Sequence, residues 1–328
     1  MSLFNFFSCW IPSWLRKEEH AFLLDMPDVV TNEILKKLDF ATIRKLQKVC
    51  HAFRDYIDCV KPDSHLKSID LEVVEELIFV SFSTPSQSNL EIQISFEDVV
   101  DFLWAALKYQ KSLLDELRFV SFVGYAVELK NAETFIKLFD RLMKVLKSRD
   151  RLLQVGALPI SVHGQDQLTE LLSHVDLKVL KSLEVFRLLE IEELSDNGDD
   201  NSEFVLDLDI LKECENLENL HVKGFSISSP FRMITHIPIL TVNMQTIYCE
   251  DLLLLKHTME NLNINAFSEI KYGQFPDKAR FLEDIGLVDD NSKLVHVFPS
   301  KLTLTYYPAS KFESFEECAT RSVTISIV

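Results

Sequence analysis

The chain has 328 residues, 47 % of them hydrophobic, and a formal net charge of -17. That length and apolar content are enough for a large buried core and for two structural units. The acid surplus argues against a nucleic-acid backbone as the main partner, because phosphate binding needs clustered lysine and arginine, although it leaves room for local basic patches.

The first fifteen residues, MSLFNFFSCWIPSWL, are rich in aromatic side chains but carry no basic residue ahead of the apolar run, and Pro12 interrupts it. They lack the charged start of a signal peptide and are too short to span a bilayer. Residues 3–15 are expected to pack back on the folded body or to form an irregular tail rather than to lie on a membrane, so no membrane partner is expected.

Met26 to Ile57, MPDVVTNEILKKLDFATIRKLQKVCHAFRDYI, is the first patterned stretch. Pro27 suits a first helical turn, and Val30, Ile34, Leu35 and Leu38 recur at helical spacing. Asp39 breaks the apolar series and is placed to cap a second helix that carries Ile43, Leu46, Val49, Cys50, Phe53 and Ile57 at steps of three and four. Cys50 on that face reads as a small hydrophobe. A unit of about forty residues buries little surface by itself, so it must dock on the rest of the chain or offer apolar surface to a partner.

These residues resemble an F-box. The likeness rests on Met26-Pro27, where that family usually has Leu-Pro, on Ile34-Leu35, Leu38, the Ile43/Leu46 pair, and Val49-Cys50 followed by Phe53, where the family often has tryptophan. The resemblance implies that residues 20–62 bind the small adaptor subunit of an SCF-type cullin-RING ubiquitin ligase. It also implies that Leu24, Met26, Pro27, Ile34, Leu35, Leu38, Ile43 and Leu46 form the adaptor-binding surface, and that the remainder of the chain holds a protein substrate. Lys36, Lys37, Arg44, Lys45 and Lys48 make this segment locally basic, which favours attraction to an acidic partner.

Lys61-Pro62-Asp63-Ser64 ends the helical unit. Strands are then expected at Leu77–Phe82 and Leu90–Ile94, a helix from Glu97 to Lys111, and a strand at Leu117–Phe122. Further short alternating runs stand at Leu158–Val162, Leu183–Phe186, Leu220–Lys223, Ile239–Asn243, Leu262–Asn265, Lys301–Thr305 and Val323–Ile327. Leu220, Leu240 and Leu262, and again Leu302 and Val323, recur at about twenty residues, within the period of leucine-rich repeats. Amphipathic helices at Glu133–Lys147, Gln165–Ser173 and Asp251–Glu260 would back such a sheet, and their Phe and Leu stripes read as core.

This second region resembles the irregular leucine-rich-repeat-like FTH domain that follows the F-box in a large nematode family. The carriers are the Glu133–Lys147 helix, Leu180-Lys181-Ser182-Leu183-Glu184, Cys214-Glu215-Asn216-Leu217-Glu218-Asn219-Leu220 and the repeated strand. The expected fold is thus an α-β repeat: a helical F-box at 20–62, then at 63–328 a solenoid with a mostly parallel sheet backed by helices, with residues 1–19 as a tail. Glu190–Glu203 is longer and more acidic than a repeat connection requires and reads as a solvated loop, since its order of Asp, Asn and Gly does not match a calcium-binding loop.

Signals of catalysis are absent from the sequence. There is no glycine-rich phosphate loop, no HExxH and no G-x-S-x-G, and His163, His221 and His257 are scattered. None of Cys9, Cys50, Cys59, Cys214, Cys249 and Cys318 forms a C-x-x-C pair, which points to reduced thiols in an intracellular protein of the cytoplasm or nucleus. No catalytic residue, metal or cofactor is expected. The reading is a non-catalytic substrate-recognition subunit; the competing one is a protein-binding repeat scaffold with no link to ubiquitin.

Overall fold

The computed structural model of the chain describes residues 26–74, 77–85, 90–121, 128–188, 204–261, 266–286, 294–297, 302–307 and 321–327. The chain divides into two compact units, Met1–Asp63 and Ser64–Val328. Among its described residues the first contains three helices, α1 (Asp28–Leu35), α2 (Phe40–Val49) and α3 (His51–Val60).

The second unit is built on one mixed sheet. Its first strands are β1 (Ser68–Val74), β2 (Leu77–Ser83), β3 (Leu90–Ile94), β4 (Leu114–Val120), β5 (Val155–Val162), β6 (Ser182–Arg187) and β7 (Val205–Leu206). The rest are β8 (Asn219–Lys223), β9 (Ser226–Ile227), β10 (Ile239–Thr246), β11 (Phe267–Gln274), β12 (Leu294–Val297), β13 (Leu302–Tyr307) and β14 (Arg321–Ile327). Twelve of them lie along one path, β12-β13-β14-β11-β10-β8-β6-β5-β4-β1-β2-β3, with the short β7 and β9 paired beside β10. From β1 to β11 the neighbours on this path are parallel and follow in chain order. At either side the pairing turns antiparallel, with β2 and β3 at one end and β14, β13 and β12 at the other.

Side-chain alternation explains why the sheet is one-sided. Leu71 faces Phe119, Phe119 faces Ile160, Ile160 faces Val185, and Val185 faces Val222, so one apolar column crosses five strands. All five side chains are buried. Beside it runs Leu158, Leu183, Leu220 and Leu240, also buried. Each such side chain contributes about 1.5–3 kcal/mol on leaving water, which makes these columns the main source of the domain's stability. The alternate positions, among them Asp70, Glu116, Glu184, His221 and Thr241, stay half-exposed.

Helices fill the connections. Those described are α4 (Phe96–Lys108), α5 (Glu128–Lys147), α6 (Gln165–Leu172), α7 (Cys249–Asn261) and α8 (Lys278–Asp284). Ser95 caps α4 by accepting a hydrogen bond from the Asp98 N–H. On α5, Phe135 and Phe139 bring their rings to 4.6 and 6.3 Å of Phe119, which ties that helix to the sheet's central column. Buried Gln110, just past α4, accepts from the Leu66 N–H and donates to the Leu66 carbonyl, thereby pairing backbone groups ahead of β1 that the ladder leaves over.

Several sequence expectations change here. The fourth helix ends at Lys108, not Lys111, because Gln110 is drawn away to Leu66. Strand β1 was not anticipated, and β4 occupies Leu114–Val120 rather than 117–122. The regular twenty-residue step fails after β10: Leu240 faces Ser268, since α7 continues to Asn261 and the next described strand starts at Phe267. The expected strand at 262–265 lies outside the described residues. Leu302 and Val323 are not successive parallel repeats either, because β13 and β14 pair antiparallel, with Tyr306 opposite Val323. A helical F-box region followed by a mixed sheet with helices is therefore the architecture. The 3–15 segment and the acidic Glu190–Glu203 stretch lie outside the described residues.

Candidate functional site

The helical unit is held by few contacts, each traceable to the sequence. The Pro27 carbonyl accepts from the N–H groups of Val30 and Thr31 at 2.8 and 3.1 Å and opens α1. Asp39 caps α2 as its position indicated, its Oδ1 accepting from the Thr42 N–H at 2.7 Å. The hydrogen bonds from Thr42 hold the Asp39 carboxyl below its ordinary range, against a smaller opposing effect of burial. Cys50 is fully extended between α2 and α3, which separates them into two helices.

Leu35, Ile43 and Ile57 form the core of the unit, with Leu38, Leu46, Tyr56 and Val60 packed against it. Polar ties close the bundle: Gln47 Nε2 donates to Asp58 Oδ1 at 3.0 Å, and Tyr56 Oη donates to Asn32 Oδ1 at 3.0 Å.

These contacts divide the residues expected to form a binding surface. Leu35 is 1 % exposed and Ile43 is 6 % exposed, so both are structural, and the expectation that they stand on a partly exposed surface is corrected. The reason is that α1 is only two turns long, and its last turn is where α2 and α3 meet it. Met26, Ile34, Leu38 and Leu46 are half-buried, Pro27 is exposed, and Leu24 lies outside the described residues.

Three larger signals sit elsewhere. Val29 is 73 % exposed, Val49 is 66 % exposed and Val30 is 43 % exposed. Helical spacing put Val30 and Val49 on the apolar faces of their helices and did not single out Val29, so the exposure of none of the three was legible in the sequence. Cys50, expected on the apolar face, is exposed because it ends a helix rather than riding on one. Lys36, Lys37, Lys45 and Lys48 are exposed around these valines' helices. The unit thus combines exposed apolar side chains with a cluster of exposed lysines between residues 36 and 48.

The other candidate groups do not assemble into a site. His163 follows β5, His221 lies on β8 with its ring 5.6 Å from Phe186, and His257 lies on α7. Among the described residues no group of three His, Cys, Asp or Glu could hold a metal ion. The buried Cys214 and Cys249 thiols are each pushed up to about 11, chiefly by burial and, for Cys249, also by its hydrogen bond to Asp284. At neutral pH such thiols stay protonated and are poor nucleophiles. No helix among the described residues is long and apolar enough to cross a membrane.

The described residues thus form a three-helix unit followed by a mixed sheet with helices. Comparison with family models places the chain further: residues 23–65 match the F-box domain and residues 136–291 match the FTH domain. The chain therefore carries an F-box domain followed by an FTH domain. A role as a protein-binding adaptor of a ubiquitin ligase follows from the F-box family. No curated protein and no solved structure matches the chain.

Proposed function

We propose that this chain is a non-catalytic substrate-recognition subunit of an SCF-type cullin-RING ubiquitin ligase. Residues 20–62 dock the adaptor through Pro27, Val29 and Val30 at the start of α1 and through the half-buried Met26, Ile34, Leu38 and Leu46; Leu24, outside the described residues, is a further adaptor contact in this reading. Leu35 and Ile43 contribute by holding the helices in place. The observation that carries this reading is that an F-box-matched unit leaves the large valines of α1 outside its own core, where exposed apolar clusters mark partner surfaces.

The domain at 63–328 holds the protein target. Seven parallel strands that follow one another in chain order support an irregular leucine-rich-repeat-like solenoid, closed at both ends by antiparallel strands. Such a subunit needs no acid, base or nucleophile. Holding target and ubiquitin-charged enzyme in one assembly raises the effective concentration of the target lysine, and that proximity supplies the rate gain. The exposed free thiols of Cys50 and Cys59 favour a reducing compartment, cytoplasm or nucleus, as the place of action.

The test is ubiquitin transfer to a co-purified target in a reconstituted ligase, with full-length chain and with a chain lacking residues 20–62. The deletion is expected to keep target capture and to abolish transfer. Undiminished transfer after the deletion would instead make the chain a binding scaffold without a ligase role.

A further inference from the structure

The F-box accounts for one end of the chain and leaves open what the other end recognises. A cavity of about 490 Å3 opens where β10 runs into α7, a volume within the range that takes a whole side chain or small ligand. The lining that matters comes from three segments: Ser229 and Arg232 from the loop after β9, Thr246 from the end of β10, and Tyr248, Glu250 and Asp251 from the start of α7.

Their chemistry is unequal. Asp251 is half-buried, and its charged neighbours are Arg232, Glu250 and Asp277. Burial raises its carboxyl above the ordinary range and the neighbouring Glu250 and Asp277 push the same way, while Arg232 opposes them. Glu250 itself meets Arg280 only at 3.6 Å, on the exposed surface. Tyr248, half-exposed, adds an aromatic face next to these carboxylates. Ser229 is already spent, because its hydroxyl donates to Asp207 and accepts from the Leu208 N–H. The cavity therefore offers a half-buried carboxylate that Arg232 only partly offsets, a second carboxylate beside it, and an aromatic ring. A cation placed there would add to that partial compensation and could rest against the tyrosine.

We propose that this cavity receives a cationic side chain, lysine or arginine, presented by the protein target of the second unit. The inference rests on that unit being the target-binding one. Two further facts fit. The chain's net charge of -17 draws basic partners over long range, and the Arg232 guanidinium, the one cation among the described lining residues, is exposed, so solvent screens its attraction for Asp251. Arg232 should accordingly weaken the site, not build it.

That sign difference gives the test. Full-length chain is titrated by calorimetry with the amides of acetyl-arginine and acetyl-lysine, and with acetyl-citrulline amide, which keeps the shape of arginine without its charge. Saturable binding of at least one cationic probe is expected, weakened about fivefold or more by Asp251→Asn and tightened about twofold by Arg232→Ala, with citrulline not binding. Damage to the fold would weaken both variants, so opposite shifts report the charge itself. No saturable binding of either cation, equal binding of citrulline, or a shift of both variants in one direction overturns the proposal. Adaptor capture measured on the same samples separates the two readings. If the adaptor binds and the cations do not, only the cavity assignment fails; if the cations bind and the adaptor does not, only the ligase reading fails.

Discussion

Single residues set how the two units are closed, and two of them give sharp expectations. Gln110 bonds both backbone groups of Leu66, so Gln110→Leu takes a partner from a buried N–H and from a buried carbonyl. The expected loss is about 2–3 kcal/mol in urea unfolding with an unchanged m-value; a loss below about 0.5 kcal/mol would show that water takes over the pairing. Asp39→Ala removes the α2 cap and should cost about 1 kcal/mol at neutral pH. The Asp39 carboxyl is held low in the folded chain, so its contribution is fully present above the ordinary carboxylate range and fades as pH falls through the depressed one. Wild type and Asp39→Ala should converge in stability on acidification, and a gap that stays constant down to about pH 2 would contradict the charge-based part of the cap. Asp39 was readable in the sequence because a cap is a local device. The division of Leu35 and Ile43 from Pro27 and Val30 was not, because every one of these positions fits the same helical period and only the crossing of α2 and α3 decides which are covered.

Elements show the same contrast. Alternation marked most strands of the parallel run correctly, since one buried face leaves a period of two in the sequence. It missed β1, whose Leu71 and Val73 stand in an acidic context, and it missed β11, which starts at Phe267 after α7. There the run Leu252–Leu255 hides the helical period: Leu252 and Leu255 are buried while Leu254 is exposed, a difference that identical residues cannot announce. The turn after β8 has a clearer determinant. Gly224 adopts φ +83°, and a Cβ there would fall 2.6 Å from Arg187 Cβ. Gly224→Ala is expected to destabilise the second unit by roughly 1–3 kcal/mol, read as a lower urea midpoint, whereas a neutral result would mean that the turn can re-form without its left-handed residue.

At the scale of the whole molecule, the last strand in the chain is not last in the sheet. β14 lies between β11 and β13, with Val323 fully buried opposite Ile270. A chain lacking residues 321–328 should lose the antiparallel end and bare the β11 edge, so it is expected to aggregate on size exclusion and to unfold without a single transition. A monomer with a wild-type transition would contradict this role for β14. The same separation of fold from surface governs the functional claim. Leu35→Ala would unfold the helical unit as readily as it would prevent docking, because a buried leucine loses about 2–5 kcal/mol on truncation. The exposed residues can be changed without that ambiguity. The most direct measurement is therefore the affinity of the full-length chain for the adaptor subunit, compared with the double variant Pro27→Ala, Val30→Asp, both checked for an unchanged unfolding midpoint. The account predicts that wild type binds and that the folded variant binds about tenfold or more weakly; equal affinity of the two, or no binding by wild type, would contradict it.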